Sequence, residues 1–157
     1  LDSNTAVFVQ KEIKVEDLIN NVVKNLAIPI DIKQQNVIVN GSSDVMFVGD
    51  YNWQLEALTN IVKNCIEHTA ENKNVYINWE ENNFYTKIVI KDEGVGIDKK
   101  DVKHIFERFY KGKDSSENSV GIGLALAKSI IEKDNGYVIC ISELGRGTTF
   151  EIKYMKP

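Results

Sequence analysis

Alternating hydrophobic and polar residues mark the strands that this sequence predicts, because successive side chains of a strand point to opposite faces of a sheet. Stretches 74–82 and 83–93 are separated by an Asn-Asn turn and therefore predict a hairpin. Two more turns are predicted, at NGSSD (40–44) and at LGRG (144–147). The predicted strands are VFVQKEI (7–13), IPIDIKQQNVIVN (28–40), NVYINWEEN (74–82), NFYTKIVIKDE (83–93), YVICISE (137–143) and GTTFEIKYM (147–155).

Hydrophobic residues recur at a spacing of three to four in other stretches, which predicts helices. The first of these helices is expected to stop near Pro29, because proline cannot continue a helix. KGKDSSENS (111–119) is polar, lacks periodicity and is predicted to be a mobile loop. The predicted helices are VEDLINNVVKNLAI (15–28), YNWQLEALTNIVKNCIEHT (51–69), the short KKDVKHIFERFY (99–110) and VGIGLALAKSIIEKDNG (120–136).

Strands and helices follow one another without strict alternation, which favours one mixed sheet with helices on one face, an α/β two-layer sandwich. A chain of 157 residues can bury a sizeable core in one domain. Its net charge of -4 argues against a nucleic-acid partner, and no apolar run or signal-peptide pattern indicates a membrane span or export. The two cysteines, Cys65 and Cys140, are interpreted as buried thiols in a reducing cytosol.

The polar face of the longest predicted helix carries two asparagines one turn apart, Asn60 and Asn64, together with Glu56 and Glu67. Asparagine is a poor helix former, so two of them in the middle of a helix indicate that their amides are in use. An amide oxygen suits Mg²⁺, which takes few protein ligands and leaves the other positions to phosphate and water. From this helix alone, a metal-ligand role and a solvent-facing role are equally open.

Two pairs of glycines flank the polar loop. Gly94 and Gly96 lie in DEGVGID (92–98), which is either a hairpin turn or a place where the backbone approaches a flat ligand. Gly121 and Gly123 start a predicted helix, whose free N–H groups and partial positive charge suit phosphate oxygens. The sequence has no G-x-x-x-x-G-K-[ST] run, which excludes an ordinary P-loop.

Five motifs occur in one order along the chain: NIVKN (60–64), DEGVGI (92–97), FERFY (106–110), GIGLALAKSI (121–130) and GRGTTF (145–150). Together they resemble the N box, first glycine box, F box, second glycine box and threonine motif in the catalytic, ATP-binding domain of sensor histidine kinases. That domain belongs to the superfamily that includes gyrase, Hsp90 and MutL ATPases. The resemblance covers nearly the whole chain and implies a Bergerat-type fold, in which a mixed sheet of about five strands packs on three helices.

The resemblance implies a role for each matching residue. Asn64 corresponds to the Mg²⁺-binding asparagine, Asn60 to its companion beside the phosphates, and Asp92 to the acid that accepts the adenine amino group. Thr148 resembles the threonine that supports the adenine site, while Asn60 and Lys111 are assigned catalytic positioning, and residues 111–120 would form the ATP lid. The residues implied to contact the nucleotide are Asn60, Asn64, His68, Asp92, Gly94, Gly96, Ile97, Arg108, Tyr110, Lys111, Gly121, Gly123, Leu124 and Thr148.

One position separates the branches of this superfamily. The ATPases and the anti-sigma-factor serine kinases carry a glutamate as general base one turn before the Mg²⁺ asparagine, where this chain has Asn60. An amide takes no proton at neutral pH, so slow ATP turnover by the chain alone is expected. His68 is a candidate for the nucleotide pocket and His104 for a surface or packing role. The resemblance therefore implies a phosphoacceptor histidine outside this sequence.

The implied function is to bind Mg-ATP and to donate its γ-phosphoryl group to a histidine on a separate dimerisation domain in two-component signalling. A degenerate ATP-binding or scaffold module is the alternative, and Glu67 and Ser119 depart from residues common in the family. A self-contained ATPase is disfavoured by Asn60.

The implied partners are the dimerisation and histidine phosphotransfer domain of the same kinase and the receiver domain of a response regulator. Neither nucleic acid nor direct membrane contact is implied. Residues 1–157 are taken as one catalytic domain, with 1–6 as a linker remnant, in the cytoplasmic part of a membrane-anchored sensor.

Overall fold

Helices cover one face of a five-stranded sheet in the computed structural model, which describes residues 7–110 and 123–157. The elements are, in chain order, β1 (Lys11–Lys14), α1 (Val15–Asn25), α2 (Ala27–Ile32), β2 (Asn36–Asn40), β3 (Met46–Gly49), α3 (Tyr51–Glu67), β4 (Asn74–Glu81), β5 (Tyr85–Asp92), α4 (Lys99–Val102), α5 (Gly123–Lys133), β6 (Gly136–Ser142) and β7 (Thr148–Met155).

The sheet is mixed, as predicted, with the strand order β2-β4-β5-β7-β6. Strand β2 is parallel to β4, and the other neighbours are antiparallel. The hairpin of β4 and β5 is confirmed. Its turn is held by Asn82, whose Oδ1 accepts the backbone N–H groups of Phe84 and Tyr85 at 2.8 and 3.0 Å.

The core lies between the sheet and three helices, α1, α3 and α5, which confirms the two-layer prediction. Alternation along β5 places Ile88, Ile90 and then Asp92 on the inner face. The same pattern that builds the core therefore directs one carboxylate toward the helix layer. From α3, the core receives Leu58, Ile61, Val62, Cys65 and Ile66.

The predicted strand over 28–40 is wrong in its first half. Residues 27–32 form helix α2, and only 36–40 form a strand. Pro29 is tolerated in the first turn of α2, where a backbone N–H has no partner within the helix. Lys33 follows the helix, and its Nζ reaches the carbonyls of Ile66, Glu67 and Thr69 at 3.0 to 3.1 Å. This contact joins residues more than 30 positions apart, so the hydrophobic pattern of residues 27–33 could not predict it.

Other boundaries also differ from the prediction. Helix α1, which was expected to stop near Pro29, ends at Asn25. Strand β1 begins at Lys11, later than expected, and it pairs with β3, a strand of only four residues that the sequence interpretation missed. Of the helix predicted over 99–110, only α4 forms, and Phe109 has a φ of 64°. Helix α5 ends at Lys133, because Asn135 adopts a φ of 59° that reverses the chain.

Several predictions lie outside the described residues: the linker remnant 1–6, the lid 111–120, and the roles of Lys111, Ser119 and Gly121. Of the helices within 7–110 and 123–157, none combines the length and apolar character needed to cross a membrane.

The buried carboxylate of Asp134 connects the start of α3 with the segment before β1. Oδ2 of Asp134 accepts the backbone N–H of Asp50 at 2.8 Å and the side-chain amide of Gln54 at 2.7 Å, while its Oδ1 accepts from Gln10. Asp134 is 4% exposed. Asp50 in turn caps the N-terminus of α3 by accepting from the N–H of Trp53. Asp134, which directly follows α5, therefore ties the chain before β1 to the start of α3.

Replacing Asp134 with alanine is expected to lower the free energy of unfolding by about 3 kcal/mol, because at least two buried donors lose their acceptor. Urea unfolding of the chain measures this. Glu132→Ala is the matched control, since Glu132 is exposed in the last turn of α5, two residues before Asp134, and a change within about 0.5 kcal/mol is expected there. Equal stabilities of the two variants would contradict the structural role of Asp134.

Candidate nucleotide-binding site

Asp92 closes β5 on the inner face of the sheet and is 2% exposed. Its Oδ1 accepts two backbone N–H groups, from Gly94 at 2.9 Å and from Thr148 at 3.0 Å. These donors belong to the loop after β5 and to the neighbouring strand β7, so two separate elements orient the carboxylate. Within the described part of the chain no backbone N–H donates to Oδ2. The thiol of Cys65 also donates to this carboxylate, and a carboxylate has lone pairs left to accept from a ligand as well.

The pKa of Asp92 is raised above its ordinary value, because the effect of burial is larger than that of the hydrogen bonds. The bonds from Gly94, Thr148 and the Cys65 thiol lower the pKa. Burial, and then the charge of Asp92, also raises the pKa of Cys65 well above its ordinary value and that of Cys140 to about 12. Both thiols are therefore protonated at neutral pH. Cys65 is buried, as predicted, whereas Cys140 on the edge strand β6 is half-buried. The contact of Cys65 with Asp92 was not recognised in the sequence.

The glycines of this region allow backbone segments to approach each other closely. A Cβ at Gly94 would overlap the carbonyl oxygen of His68, and one at Gly96 would overlap that of Glu143. Strand β5 leads into α4 and pairs with β4 and β7, so 92–98 does not turn back into an adjoining strand. The hairpin-turn interpretation of this stretch is wrong. The glycines instead pack the loop against the end of α3 and the end of β6.

Ser142 connects this loop to β7, and the sequence interpretation did not include it. Its Oγ accepts the backbone N–H of Ile97 at 2.8 Å and lies 2.7 Å from Oγ1 of Thr148. The structure thus brings together Asp92, Gly94, Ile97 and Thr148, all predicted to contact the nucleotide. A serine at the end of the otherwise apolar strand YVICIS was the signal that could have identified it.

A second group of predicted residues lies where α3 faces α5. Asn60, Asn64 and His68 are spaced by one turn and are half-buried. The Nδ2 of Asn60 donates to the carbonyl oxygen of Gly123 at 3.3 Å, which joins α3 to the first described residue of α5. Leu124 packs against the core beside it. Among residues 7–110 and 123–157 the side-chain amide of Asn64 has no hydrogen-bond partner, so its oxygen is available to a ligand.

Arg108 and Tyr110 are the two residues predicted from the F box that the structure describes, and their side chains contact other residues of the same segment. The hydroxyl of Tyr110 donates to Asp101, and this bond raises the pKa of Tyr110 to about 12. The guanidinium of Arg108 is exposed and lies 5.3 Å from the ring centre of Phe109. Within the described residues neither side chain contacts Asp92 or Asn64. Their roles at the nucleotide remain predictions.

A cavity of about 370 Å³ opens on the other side of the β5 end. Tyr76 and Lys91, which line it, are paired across β4 and β5 and alternate with the buried Val75 and Ile90. The cavity therefore opens on the outer face of the sheet. Asp92 and Gly94, two of the residues predicted to contact the nucleotide, also line this cavity.

Residues 49–157 match the sequence model of the family described as histidine kinase-, DNA gyrase B- and HSP90-like ATPases. This chain belongs to that family. It is 36% identical over 125 residues to the sensor histidine kinase YclK of Bacillus subtilis, a match that covers 77% of this chain and 26% of YclK. The chain thus spans about a quarter of the length of that relative.

Solved structures share the fold. The catalytic domain of the histidine kinase ThkA superposes with a TM-score of 0.83 at 23% identity, covering 94% of this chain and 98% of that one. Full-length ShkA, solved in complex with AMPPNP, gives a TM-score of 0.83 at 20% identity and covers 96% of this chain and 32% of ShkA. The resemblance to histidine kinase catalytic domains and the predicted fold are confirmed. The roles of the individual site residues stay predictions.

Proposed function

We propose that this domain binds Mg-ATP and donates the γ-phosphoryl group to a histidine on a separate dimerisation domain. The proposal is supported mainly by the burial and the hydrogen bonds of the Asp92 carboxylate. Asp92 is 2% exposed, its Oδ1 is fixed by two backbone N–H groups, and no backbone N–H of the described residues donates to its Oδ2. Such an acceptor suits the exocyclic amino group of adenine. Guanine has an oxygen at that position, which a carboxylate repels.

The phosphates are proposed to lie between α3 and α5. Asn60 joins the two helices at Gly123, where the helix start has backbone N–H groups available to an anion. Asn64 lies one turn further along α3, and its amide oxygen, which accepts no hydrogen bond from the described residues, fits a Mg²⁺ ligand. When bound, Mg²⁺ supplies charge neutralisation on the phosphate oxygens. His68, a turn beyond Asn64, is proposed to line the same pocket.

The proposed transfer needs positioning more than proton chemistry. A neutral imidazole nitrogen on the partner domain attacks in line, the bond between the γ-phosphorus and the ADP oxygen breaks, and a phosphorus–nitrogen bond forms. Asn60 cannot serve as a base, which disfavours attack by water. Lys111, Arg108 and Tyr110 are proposed to contact the phosphates, and Lys111 and Asn60 to hold them in line.

The partners of the proposed activity are a dimerisation and histidine phosphotransfer domain of the same kinase and, after it, a receiver domain. The name of the relative YclK, a sensor histidine kinase, supports this assignment. We also propose that the domain works in the cytoplasm as part of a membrane-anchored sensor.

Calorimetric titration of ATP into the chain tests the first step, with and without Mg²⁺ and beside GTP. Mg²⁺-dependent binding of ATP and not of GTP is expected. Incubation with labelled ATP and a histidine-bearing dimerisation domain then tests the transfer, with a histidine-to-alanine form of that domain as the control. Binding of no nucleotide would contradict the kinase proposal and favour a scaffold module. Rapid hydrolysis by the chain alone would favour an ATPase.

Asn64→Ala is expected to remove the dependence of ATP affinity on Mg²⁺ and to weaken Mg-ATP binding about tenfold or more. Calorimetry at several Mg²⁺ concentrations measures both effects. Glu56→Ala is the control, because Glu56 is exposed two turns earlier on the same helix. A normal Mg²⁺ dependence in Asn64→Ala would place the metal on other residues.

A further inference from the structure

Ser142, the last residue of β6, joins three parts of the candidate site through one hydroxyl group. Its Oγ accepts the backbone N–H of Ile97 at 2.8 Å, lies 2.7 Å from Oγ1 of Thr148, and lies 3.0 Å from the carbonyl oxygen of Gly147. Ser142 is half-buried and Thr148 is 5% exposed, so water competes little for these contacts.

The number of protons determines the direction of these hydrogen bonds. An N–H only donates and a carbonyl oxygen only accepts, so it is the Ser142 proton that reaches Gly147. All three contacts are then satisfied only when the hydroxyl of Thr148 donates to Ser142. In the opposite arrangement Ser142 donates to Thr148 and the bond to Gly147 is lost. A buried site favours the arrangement in which every polar group has a partner.

This direction leaves only lone pairs on Oγ1 of Thr148. The backbone N–H of the same residue is bonded to Asp92, so the hydroxyl oxygen and the carboxylate belong to one small region. A region that offers only acceptors suits a donor with two N–H bonds, such as the 6-amino group of adenine. It disfavours the oxygen that a 6-oxo purine carries at the same position.

We propose that Ser142 is a positioning residue that holds the hydroxyl of Thr148 as an acceptor and so contributes to the choice of a 6-amino over a 6-oxo purine. The proposal deepens the proposed function and rests on it, since it concerns an ATP-binding site. Removal of the Ser142 hydroxyl releases the proton of Thr148, which can then be donated to the oxygen of a 6-oxo base. Selectivity falls because the wrong base gains a partner, whereas looser packing would weaken both bases equally.

The experiment compares ATP with inosine triphosphate, which has a 6-oxo group and lacks the 2-amino group of guanine. Calorimetry gives the ratio of the two affinities for the chain and for its variants. Ser142→Ala is expected to lower the ratio of ATP to inosine triphosphate affinity about tenfold. Ser142→Thr keeps a hydroxyl group and is expected to keep the ratio.

Thr148→Val provides an independent test, because it removes the acceptor itself. It is expected to lower the ratio as well, and Ser142→Ala added to it is expected to change the ratio no further. If Ser142→Ala does not fold, Ser142→Cys decides the question, because a thiol is a weak hydrogen-bonding group and is expected to lower the ratio in the same direction. An unchanged ratio in these variants, with ATP still bound by the unaltered chain, would overturn the role of Ser142 and leave the proposed function standing. An unaltered chain that binds neither nucleotide would overturn both.

Discussion

Asp92→Asn is expected to leave the domain folded and to lower its affinity for ATP by about a hundredfold. Asparagine keeps an oxygen that can accept the N–H groups of Gly94 and Thr148, which now hold Oδ1 of Asp92. Its other atom, however, becomes an amide N–H₂ group facing the amino group of adenine, so a donor meets a donor. Calorimetry measures the affinity, and thermal unfolding checks the fold.

The stability of this variant follows from the pKa of Asp92, which burial raises. A raised carboxyl pKa means that the protonated form is the better accommodated one in the folded state. The resulting stabilisation is present below the unfolded pKa and is lost as the pH rises through the folded pKa. At neutral pH the buried charge therefore opposes folding. Asp92→Asn removes that charge and is expected to unfold at the same or a higher temperature.

The same raised pKa gives ATP binding a pH dependence. Affinity is expected to fall as the pH decreases through a range above the ordinary aspartate pKa, because a protonated Asp92 accepts less well. Asp92→Asn lacks this dependence. Glu93→Gln makes the same change of charge at the adjacent exposed residue and is expected to bind ATP normally. ATP binding by Asp92→Asn equal to that of the unaltered chain would mean that adenine lies elsewhere.

Gly147→Ala is expected to lower the free energy of unfolding by about 3 kcal/mol or more and to weaken ATP binding strongly. Gly147 has a φ of 79°, in the left-handed region that an alanine adopts only at a cost of about 1 kcal/mol. In addition, a Cβ there would overlap the backbone carbonyl oxygen of Asp92. Strands β5 and β7 would have to separate next to the carboxylate that is proposed to bind adenine.

Gly145 provides a matched control two residues earlier. Its φ of 82° is nearly the same, but a Cβ at Gly145 would meet no atom within 4 Å. Gly145→Ala is therefore expected to lower the free energy of unfolding by only about 1 kcal/mol, the cost of the left-handed backbone conformation. It is expected to bind ATP almost normally. Urea unfolding and ATP titration of both variants measure the difference. Similar losses in the two variants would show that backbone conformation, and not the overlap with Asp92, explains the requirement for glycine.

The sequence predicted well those elements in which the hydrophobic spacing repeats over several helical turns or several strand residues. Helix α3 and the hairpin of β4 and β5 are examples, because their hydrophobic spacing extends over many residues and their ends carry local signals. The order of the five motifs likewise predicted the family. Asp92 became a candidate site residue in this way, and the alternation along β5 already directs its side chain to the inner face.

The short elements could not be predicted, because their conformation depends on contacts with distant residues. Residues 27–32 read as strand material, yet they form a helix whose following residue, Lys33, binds the carbonyl groups at the end of α3. Strand β3 has only four residues, too few to show an alternation, and it exists as the partner of β1.

At the candidate site, the sequence and the tertiary structure each determined different features. The sequence by itself determined which residue types are present, their order, and the family to which they belong. It could not determine that Asn60 meets Gly123, or that Ser142 meets Ile97, because the two residues of each pair are far apart along the chain. Hydrogen bonds act over about 3 Å. Only the packing of the helix layer on the sheet brings such groups within that distance.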